Sequence, residues 1–500
     1  MKRLLSAILL LAVLLASVGA LLSCGDAGKP SIDETKPVSA GPADTEPEET
    51  TLYMPDDLPA TLDYGGKTVT TFGWSGSLYD EFYAEEQNGE IVNDAIYARN
   101  LATTERLNVN LEYRIELGAN ADRASWVKIL SSSILAGDAA YDICAGYSMC
   151  GASLAAAGML IDVGSVEYLD LSKPWWPDSL TKEATVDGHL YFASGDISTR
   201  MLYYMMCVFF NNSLADSYNL GDLYELVLDG SWTIDRMVDL SKGVYSDIDG
   251  NGVKGIEDQY GFVCHITYSD SLYFAAGLST TTIGDDGLPA LSEDFKGERA
   301  QALLEKLVGI FKQEDCFLIT YSINDGYNVG RNMFTAGHVL FDINECGTAQ
   351  SSYRNSDIAY GILPIPKGSE EQENYRTCMS FPYSLYGIPL DASDPDMSGA
   401  VLECLASESY RTVSPALFEI ALKVKYSEDP EVSAMYDIIR ETVNFDFGRI
   451  FNDSLSSMTY SLFRNNIGNG TTDWASTIAS NETKLQSMLD SLLASLTAGT

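Results

Sequence analysis

The chain has 500 residues, of which 71 are Asp or Glu and 31 are Lys or Arg, so that its formal net charge at pH 7 is −40. A nucleic-acid-binding protein needs clustered basic side chains to displace the counterions of the phosphate backbone, and this charge balance argues against that class of function. The folded part of a chain of this length is expected to divide into two domains.

The amino terminus has the pattern of a secretory signal. Two basic residues precede an apolar run from Leu4 to Leu22, which is followed by Ser23 and Cys24. The run is almost long enough for a membrane anchor, but its Leu-x-Ser-Cys ending resembles the bacterial lipobox, in which the cysteine becomes the lipidated first residue. We therefore predict a signal peptide over residues 1–23 and a lipid on Cys24 that anchors the mature protein at the outer face of the cell membrane.

The next segment has the composition of a tether. Residues 25–57 are rich in Pro, Glu, Asp, Thr and Ser, and hold almost no large apolar side chain before Leu52. Such a segment cannot bury enough surface to offset the entropy lost on ordering. We predict a lipid-anchored, disordered, acidic linker over residues 24–57, with the folded part beginning near Pro59.

Strand and helix patterns then alternate. The sequence predicts, in order, strand Lys67–Phe72, helix Asn93–Leu107, strand Val109–Tyr113, helix Ala124–Ala136 and strand Tyr141–Cys144. This alternation predicts a mostly parallel sheet with helices on both faces. Further along the chain, a continuous apolar run at Met201–Phe210 predicts a buried strand, and helical periodicity marks Arg299–Gln313, Met397–Ser407, Val432–Val443 and Trp474–Leu496.

Eight cysteines remain after Cys24, and none is spaced as Cys-x-x-Cys. Most of them stand in apolar contexts, which favours buried free thiols, although an even number in an exported protein leaves disulfides open.

An acidic loop has the spacing of calcium ligands. Asp247, Asp249 and Asn251 occupy positions 1, 3 and 5, the carbonyl of Val253 position 7, and Asp258 position 12. Position 12 is Asp in place of the usual Glu and a strand pattern follows it, which argues against an EF-hand protein. The loop is either a structural Ca²⁺ site or a solvated turn whose side chains bond their own backbone.

As a whole, the stretch Gly230–Phe262 resembles a segment of the extracellular solute-binding proteins, which are the sugar-binding receptors of ABC importers. It has a Trp-Thr helix start, then Asp-x-Asp-Gly-Asn-Gly, then Tyr-Gly-Phe. Four more segments resemble this family in the same order along the chain: Leu169–Pro177, Gly188–Asp196, Met333–Phe341 and Tyr360–Lys367 (YGILPIPK).

The resemblance implies an α/β, two-lobed periplasmic-binding-protein-like fold of type II. Each lobe would be a mostly parallel sheet flanked by helices, and hinge crossovers would join the lobes. Residues 59–200 plus 361–408 are expected to form lobe I, and residues 201–360 plus 409–500 lobe II. The crossovers are expected near 198–205, 357–360 and 407–413.

Aromatic residues at strand ends and on loops are the candidate ligand contacts. In open α/β sheets, ligands bind outside the carboxyl ends of the strands, and Trp74 follows the first strand there, either to stack on a ligand or to cap the core. Trp175 and Trp176 lie on a Pro-flanked loop where burial of both is difficult, so one of them is expected to face a cleft. Asp196 would accept hydrogen bonds from ligand hydroxyls, or serve as a turn or cap.

Two weaker candidates are Asn344 and Tyr383, whose loops flank the expected return strand. The chain has only three His, and it contains no HExxH, no GxSxG and no Walker phosphate loop. We therefore expect no enzyme activity, and no bond to be made or broken.

The predicted function is that of a monomeric extracytoplasmic lipoprotein. It would capture a small, neutral or weakly polar carbohydrate in a cleft between the lobes and deliver it to the membrane subunits of an ABC permease. The alternative is a surface glycan-active lipoprotein, either a glycoside hydrolase or a glycan-binding protein without a transporter, because catalytic carboxylates need not be close in sequence.

Overall fold

The computed structural model describes residues 54–77, 80–423 and 430–498. The predicted signal peptide, Cys24 and most of the predicted linker lie outside these residues. Among the described helices, none combines the length and the apolar character that a membrane span requires.

Two sheets carry the fold. In chain order, the strands are β1 Lys67–Ser75, β2 Val109–Leu117, β3 Ile143–Tyr147, β4 Met206–Asn211, β5 Tyr260–His265, β6 Thr281–Ile283, β7 Pro289–Leu291, β8 Cys316–Ile319, β9 Val339–Glu345, β10 Tyr360–Pro364, β11 Thr377–Cys378, β12 Ser384–Gly387 and β13 Val443–Asn444. The first sheet has the order β12-β3-β1-β2 and the second sheet the order β10-β4-β9-β5-β8.

Parallel pairing surrounds β1 in the first sheet and β5 in the second. In the first sheet, β1 is parallel to β2 and β3, and β12 joins β3 antiparallel. In the second sheet, β5 is parallel to β8 and β9, whereas β4 runs antiparallel to β9 and β10. The short pairs β6-β7 and β11-β13 lie outside both sheets.

Helices cover the sheets. In the described part of the chain they are α1 Ile91–Leu107, α2 Arg123–Ala136, α3 Ser148–Ala156, α4 Asp178–Ala184, α5 Thr199–Tyr203, α6 Asn212–Ser217, α7 Leu223–Leu228, α8 Ile234–Ser241, α9 Ser269–Ala275, α10 Glu293–Lys296, α11 Glu298–Phe311, α12 Gly326–Thr335, α13 Pro395–Glu408, α14 Ser414–Lys423, α15 Pro430–Glu441, α16 Phe447–Ile450, α17 Met458–Asn469 and α18 Trp474–Thr497. Strands β3, β4, β5 and β9 are buried along their whole length, as strands covered on both faces should be. The α/β class predicted from the alternating pattern is confirmed.

Local signals explain where several helices begin. The hydroxyl of Thr233 accepts a hydrogen bond from the backbone N–H of Arg236 at 3.2 Å, which caps α8 where the sequence predicted a helix start. Helix α13 opens with Pro395, and the Asp394 carboxylate accepts from the N–H of Met397 at 3.2 Å. All eight cysteines of the described residues are buried, as their apolar contexts predicted.

The predicted return of the chain to lobe I at residue 361 is wrong. Strand β10 pairs antiparallel with β4 in the second sheet, with Tyr360 opposite Asn211 and Pro364 opposite Cys207. The backbone of Lys367 then bonds Trp232 and Ile234, at 3.1 and 2.9 Å, which keeps the chain beside the second sheet. Strand β10 covers an edge of the second sheet that β4 would otherwise expose. The chain returns to the first sheet only with β12, which pairs with β3.

Two further predictions need correction. The apolar run Met201–Phe210 is not one strand, since helix α5 ends at Tyr203 and β4 begins at Met206. The predicted linker also extends too far. Asp56 is buried, and its carboxylate binds Arg106 through two bonds of 2.6 and 2.5 Å, so ordered structure begins before Pro59.

Candidate functional site

A cavity of about 740 Å³ opens where strands of both sheets end. From the first sheet its wall includes Trp74, the last residue but one of β1, and Tyr147, the last residue of β3. From the second sheet it includes Glu345 at the end of β9, and Tyr268 and Tyr321 just beyond β5 and β8. Since carboxyl ends of parallel strands form the usual ligand crevice of open α/β sheets, this cavity is the candidate binding site.

Aromatic side chains form much of the cavity wall. Tyr321 and Tyr327 are 61% and 41% exposed and stand at the mouth, whereas Tyr147, Tyr204 and Tyr268 are buried deeper. The hydroxyl of Tyr327 accepts a hydrogen bond from Thr267 at 2.9 Å, which fixes that ring at the opening. Such rings offer apolar faces for stacking together with hydroxyl groups for hydrogen bonds.

Two arginines share one aspartate in the cavity wall. Asp270, on α9, contacts Arg449 of α16 at 2.8 Å between Oδ2 and Nη1. It also receives Nε of Arg464 at 3.1 Å, together with a second bond from Nη2 of the same guanidinium. Burial would lower the pKa of Arg464, but the Asp270 carboxylate outweighs it and raises that pKa.

A second ion pair lies in the cavity wall. Arg331 is 3.5 Å from Glu345, whose other carboxylate oxygen accepts from the Ser380 hydroxyl at 2.8 Å. Burial raises the pKa of Glu345, and Arg331 opposes that change. The pKa of nearby His265 is lowered to about 4 by burial and by the positive charges of Arg464 and Arg331. The lowered pKa leaves the His265 imidazole neutral at pH 7.

Of the six predicted ligand contacts, Trp74 is the one that lines the cavity. Its Nε1 donates to the Ser384 hydroxyl at 2.9 Å, and the guanidinium of Arg200 lies 4.2 Å from its ring centroid. One face of the indole is therefore covered by protein, and Trp74 contributes a wall rather than an open platform. The structure thus shows Trp74 packed at the end of the core, and its stacking on a ligand stays a prediction.

The prediction that Trp175 or Trp176 faces the cleft is wrong. The two side chains are 0% and 2% exposed, and Nε1 of Trp176 donates to Glu403 of α13 at 3.0 Å. The ring of Trp175 packs against Tyr410, with centroids 6.0 Å apart. Both tryptophans are core residues because helix α13 and the segment after it close over the Pro-flanked loop.

The other three predicted contacts also point elsewhere. Asp196 is buried, pairs with Arg440 at 2.8 Å and accepts from Ser414. The amide of Asn344 donates to Asp342 at 3.0 Å within the second lobe, and the ring of Tyr383 packs against Phe445. None of the three lines the cavity, because each is already held by a partner in the core.

Sequence reasoning missed the residues that carry the cavity's chemistry. Tyr268 and Tyr321 could have been found by applying the strand-end rule to β5 and β8 as well as to β1. Arg449 and Arg464 follow no motif, since they reach the cavity from helices near the carboxyl end of the chain. Only the assembled fold brings them to Asp270.

The acidic loop brings the predicted carboxylates together and also bonds its own backbone, so that both alternatives from the sequence stay open. Carboxylate oxygens of Asp247, Asp249 and Asp258 lie within 4.8 Å of one another. Asp247 accepts the N–H groups of Gly250 and Gly252, both at 2.8 Å, and these glycines have positive φ values of 70° and 73°. The chain then enters β5 instead of a second helix, as predicted. The donor set therefore suits a cation that prefers oxygen ligands.

Asn251, another predicted ligand, forms bonds within the same loop. The side-chain oxygen of Asn251 accepts the N–H of Val253 at 2.6 Å, and its amide nitrogen donates to Asp249 at 2.6 Å. Rotation of the amide, which exchanges its oxygen and nitrogen, would place the oxygen beside Asp249.

Known proteins resemble this chain in structure but not in sequence. No protein-family model and no curated protein matches the chain. Among solved structures, the cyclic α-maltosyl-1,6-maltose binding protein of Arthrobacter globiformis aligns with a TM-score of 0.56 at 14% identity, covering 87% of this chain and 100% of that one.

Two further solved structures align over similar lengths. A family 1 extracellular solute-binding protein from Bifidobacterium longum subsp. infantis has a TM-score of 0.51 at 14% identity, with 84% of this chain and 100% of that one covered. UgpB from Mycobacterium tuberculosis, in complex with glycerophosphocholine, has a TM-score of 0.51 at 14% identity, with 83% and 99% covered. The chain therefore has the two-lobed α/β fold of the extracellular solute-binding proteins, as its motifs predicted.

Proposed function

We propose that the protein is the extracytoplasmic solute-binding component of an ABC importer, and that it captures a small carbohydrate and delivers it to the permease. The observation that supports this most directly is the cavity of about 740 Å³ at the strand ends of both sheets, with its tyrosines and arginines. Its size falls within the range of roughly 300–1,000 Å³ that is usual for small-molecule sites.

The chemistry of the wall suits a hydroxyl-rich ligand. Tyrosine rings offer stacking surfaces, while phenol, guanidinium and carboxylate groups offer hydrogen bonds of both polarities. Proteins with the same fold have been solved with maltotetraose, with acarbose and with glycerophosphocholine. A carbohydrate is the ligand class that these aromatic and polar groups serve together.

Closure of the lobes would follow from the placement of the contacts. A ligand in the cavity touches Trp74 and Tyr147 from one sheet and Tyr268 and Tyr321 from the other. It therefore adds favourable contacts to the closed state that the open state lacks, and shifts the population toward closure.

The two buried carboxylates of the cavity favour binding over hydrolysis. A glycosidase needs one carboxyl group free to protonate the leaving group and a second to act as base or nucleophile. Asp270 is held by two arginines, and Glu345 by Arg331 and Ser380. A carboxyl group already occupied by ion-pair and hydrogen-bond partners is not free for either step, so we propose no catalytic role for Asp270 or Glu345.

We also propose the cellular setting predicted from the amino terminus. A signal peptide over residues 1–23 would direct export, and a lipid on Cys24 would hold the protein at the outer face of the membrane beside its permease. The intact mass of detergent-extracted protein tests this. A mature chain that begins at residue 24 with an acyl mass supports it, and any other start contradicts it.

The function is tested by identifying the ligand. Native mass spectrometry of protein purified from its own cells would reveal a retained sugar, and titration calorimetry would measure its affinity. The sugar is then incubated with the protein and recovered. Intact sugar supports a receptor, cleaved sugar supports the glycoside hydrolase alternative, and an amino acid or peptide as the sole ligand contradicts the carbohydrate assignment.

The acidic loop supports a second proposal, a structural calcium ion. Asp247, Asp249 and Asp258 would supply carboxylate oxygens, with the Asn251 amide and the Val253 carbonyl completing the set. Three carboxylates this close repel each other, and a divalent cation would remove that repulsion. The loop contributes nothing to the cavity wall, so the ion's role would be stability alone.

A further inference from the structure

The charge of the cavity differs from that of the chain. The chain carries more than twice as many acidic as basic residues, yet the charged groups of the cavity wall are balanced in number: Arg331, Arg449, Arg464, Asp270, Asp325 and Glu345. Asp325 is exposed, and both its oxygens accept from Asn328 at 3.0 Å. The buried part of the wall thus holds three guanidinium groups and two carboxylates.

The excess positive charge lies at Asp270. The side chains of Arg449, Arg464 and Asp270 are only 12%, 7% and 6% exposed. Within the described residues, Asp270 is the one carboxylate that contacts either guanidinium, and it can neutralise only one of them. A buried charge is costly unless it is paired, so a ligand that brings one negative charge would complete this cluster.

Donor groups remain available for such a ligand. A guanidinium has five N–H groups. Contacts within the described residues take three of them on Arg449, two for the Met379 carbonyl and one for Asp270. Arg464 makes four such bonds, to Asp270, Thr267 and Tyr321. Three N–H groups of the pair therefore make no bond to the described residues.

Both guanidinium groups are also held in place. Arg449 lies over the ring of Phe381 at 4.1 Å, and Arg464 over the ring of Tyr460 at 4.3 Å, measured from the central carbon to the ring centroid. A preorganised guanidinium loses little entropy when it binds a planar carboxylate.

We propose that the natural ligand is an acidic carbohydrate whose carboxylate is bound by Arg449 and Arg464. This inference rests on the proposed function and narrows it, and it replaces the neutral sugar predicted from the sequence. A sugar carboxylate carries one negative charge, which matches the excess of one positive charge. A phosphate monoester carries about −1.5 to −2 at pH 7 and matches less well.

Titration calorimetry with matched ligands tests the proposal. The probes are oligosaccharides of galacturonate, glucuronate and mannuronate, their methyl esters, the corresponding neutral sugars, and sugar phosphates. We expect one uronate to bind at least tenfold more tightly than its own methyl ester, which keeps the hydroxyls and removes the charge. Equal or tighter binding of the ester, of a neutral sugar or of a sugar phosphate overturns the acidic-sugar proposal and leaves the receptor function standing. Binding of no sugar at all overturns the receptor function itself.

Variants locate the carboxylate. Arg449→Gln should reduce the preference for the acid over its methyl ester at least fivefold. Arg449→Lys keeps the charge but loses the planar pair of donors that binds both carboxylate oxygens, and it should retain part of that preference. Arg299→Gln, which removes an exposed arginine paired with Asp294, is the matched control. Melting temperature verifies that each variant is folded. A folded Arg449→Gln protein with the full preference shows that the carboxylate binds elsewhere and overturns the assignment.

Discussion

Glu403 is a carboxyl group enclosed between helix α13 and two tryptophans. It is buried, and Nε1 of Trp176 donates to one of its oxygens at 3.0 Å. Burial raises the pKa of Glu403 to about 7, and the tryptophan bond only partly opposes that rise. The folded protein therefore favours the neutral acid at pH values where the unfolded chain is already ionised.

This shift predicts a pH dependence of stability. The stabilisation from the neutral acid is complete below the usual Glu pKa of about 4.5 and is lost as pH rises through about 7. Glu403→Gln removes the ionising group. The natural protein should lose stability between pH 5 and pH 8 because Glu403 ionises, and the variant should not. The difference in free energy of unfolding, variant minus natural protein, should therefore increase by up to about 3 kcal/mol from pH 5 to pH 8.

Denaturant unfolding at the two pH values measures this gain. Glu105→Gln, on the exposed face of α1, is the control and should shift stability equally at both pH values. If Glu403→Gln behaves like that control, the carboxyl group is not held neutral by its surroundings.

Residue-level prediction from sequence succeeded where local context decides burial. The cysteines in apolar contexts were expected to be buried free thiols, and all eight in the described residues are. Trp176 failed because its partner, Glu403, lies 227 residues further along the chain. No local pattern shows which distant helix will cover a loop.

At the scale of elements, the acidic loop gives the next prediction. A ligand that binds only the folded state stabilises it by mass action, by about 2.7 kcal/mol at a concentration of about one hundred times Kd. We expect the melting temperature to be several degrees higher in millimolar calcium than in excess chelator. Differential scanning fluorimetry in the two buffers measures the difference.

A pair of variants makes that measurement specific. Asp249→Asn removes one of the three converging carboxylates and should shrink the calcium effect, whereas Asp285→Asn, an exposed aspartate outside the loop, should leave it intact. An equal rise with magnesium, which demands shorter octahedral contacts, would indicate general charge screening and remove the site.

The segment before the first strand gives a prediction about the domain boundary. The Asp56 carboxylate binds Arg106, accepts from the Ser407 hydroxyl at 2.9 Å and accepts from the N–H of Leu58 at 3.1 Å. Asp56→Asn removes the charge opposite Arg106 and should lower the free energy of unfolding by about 2 kcal/mol, less than for a fully buried pair because Arg106 is partly exposed.

Chemical denaturation compares that variant with Asp57→Asn. Asp57 is the adjacent residue and its carboxylate is 73% exposed, so this control should cost little. A chain that begins at residue 58 should be destabilised like Asp56→Asn, and one that begins at residue 54 should not. Equal stability of the two truncated chains would mean that the segment adds nothing to the fold.

Helices with a clear hydrophobic periodicity could be predicted from the sequence, whereas the neighbours of a strand in its sheet could not. Helices expected over 93–107, 124–136, 397–407 and 474–496 all fall within observed helices. Strand β10 was expected in the first lobe and pairs in the second. Periodicity fixes what a segment becomes, whereas strand pairing depends on which edges remain open when the chain has folded.

For the whole molecule, alternating strands and helices were enough to predict the α/β class, and ordered motifs were enough to predict the two-lobed fold. The cavity could not be predicted in the same way. Its wall draws on residues from Trp74 to Arg464, and the charged ones come from separate helices, a strand end and a loop, which only the packed lobes bring together. The Arg449 and Arg464 pair around Asp270 therefore belongs to the tertiary structure alone.

The net charge of −40 predicts opposite effects of salt on folding and on ligand binding. Self-repulsion opposes the compact state, and salt screens it, because the Debye length falls from about 30 Å at 0.01 M to about 10 Å at 0.1 M ionic strength. The melting temperature should therefore rise between 10 and 500 mM sodium chloride. It should rise equally in choline chloride, a result that would exclude a specific sodium site.

An acidic sugar, in contrast, is attracted to Arg449 and Arg464 by charge, so its affinity should fall several-fold over the same range of salt concentration. Its methyl ester should bind with nearly constant affinity. Scanning fluorimetry and titration calorimetry on one protein preparation measure both effects. A melting temperature that falls with both salts would contradict the role of self-repulsion, and an acid affinity as insensitive to salt as that of the ester would contradict charge recognition in the cavity.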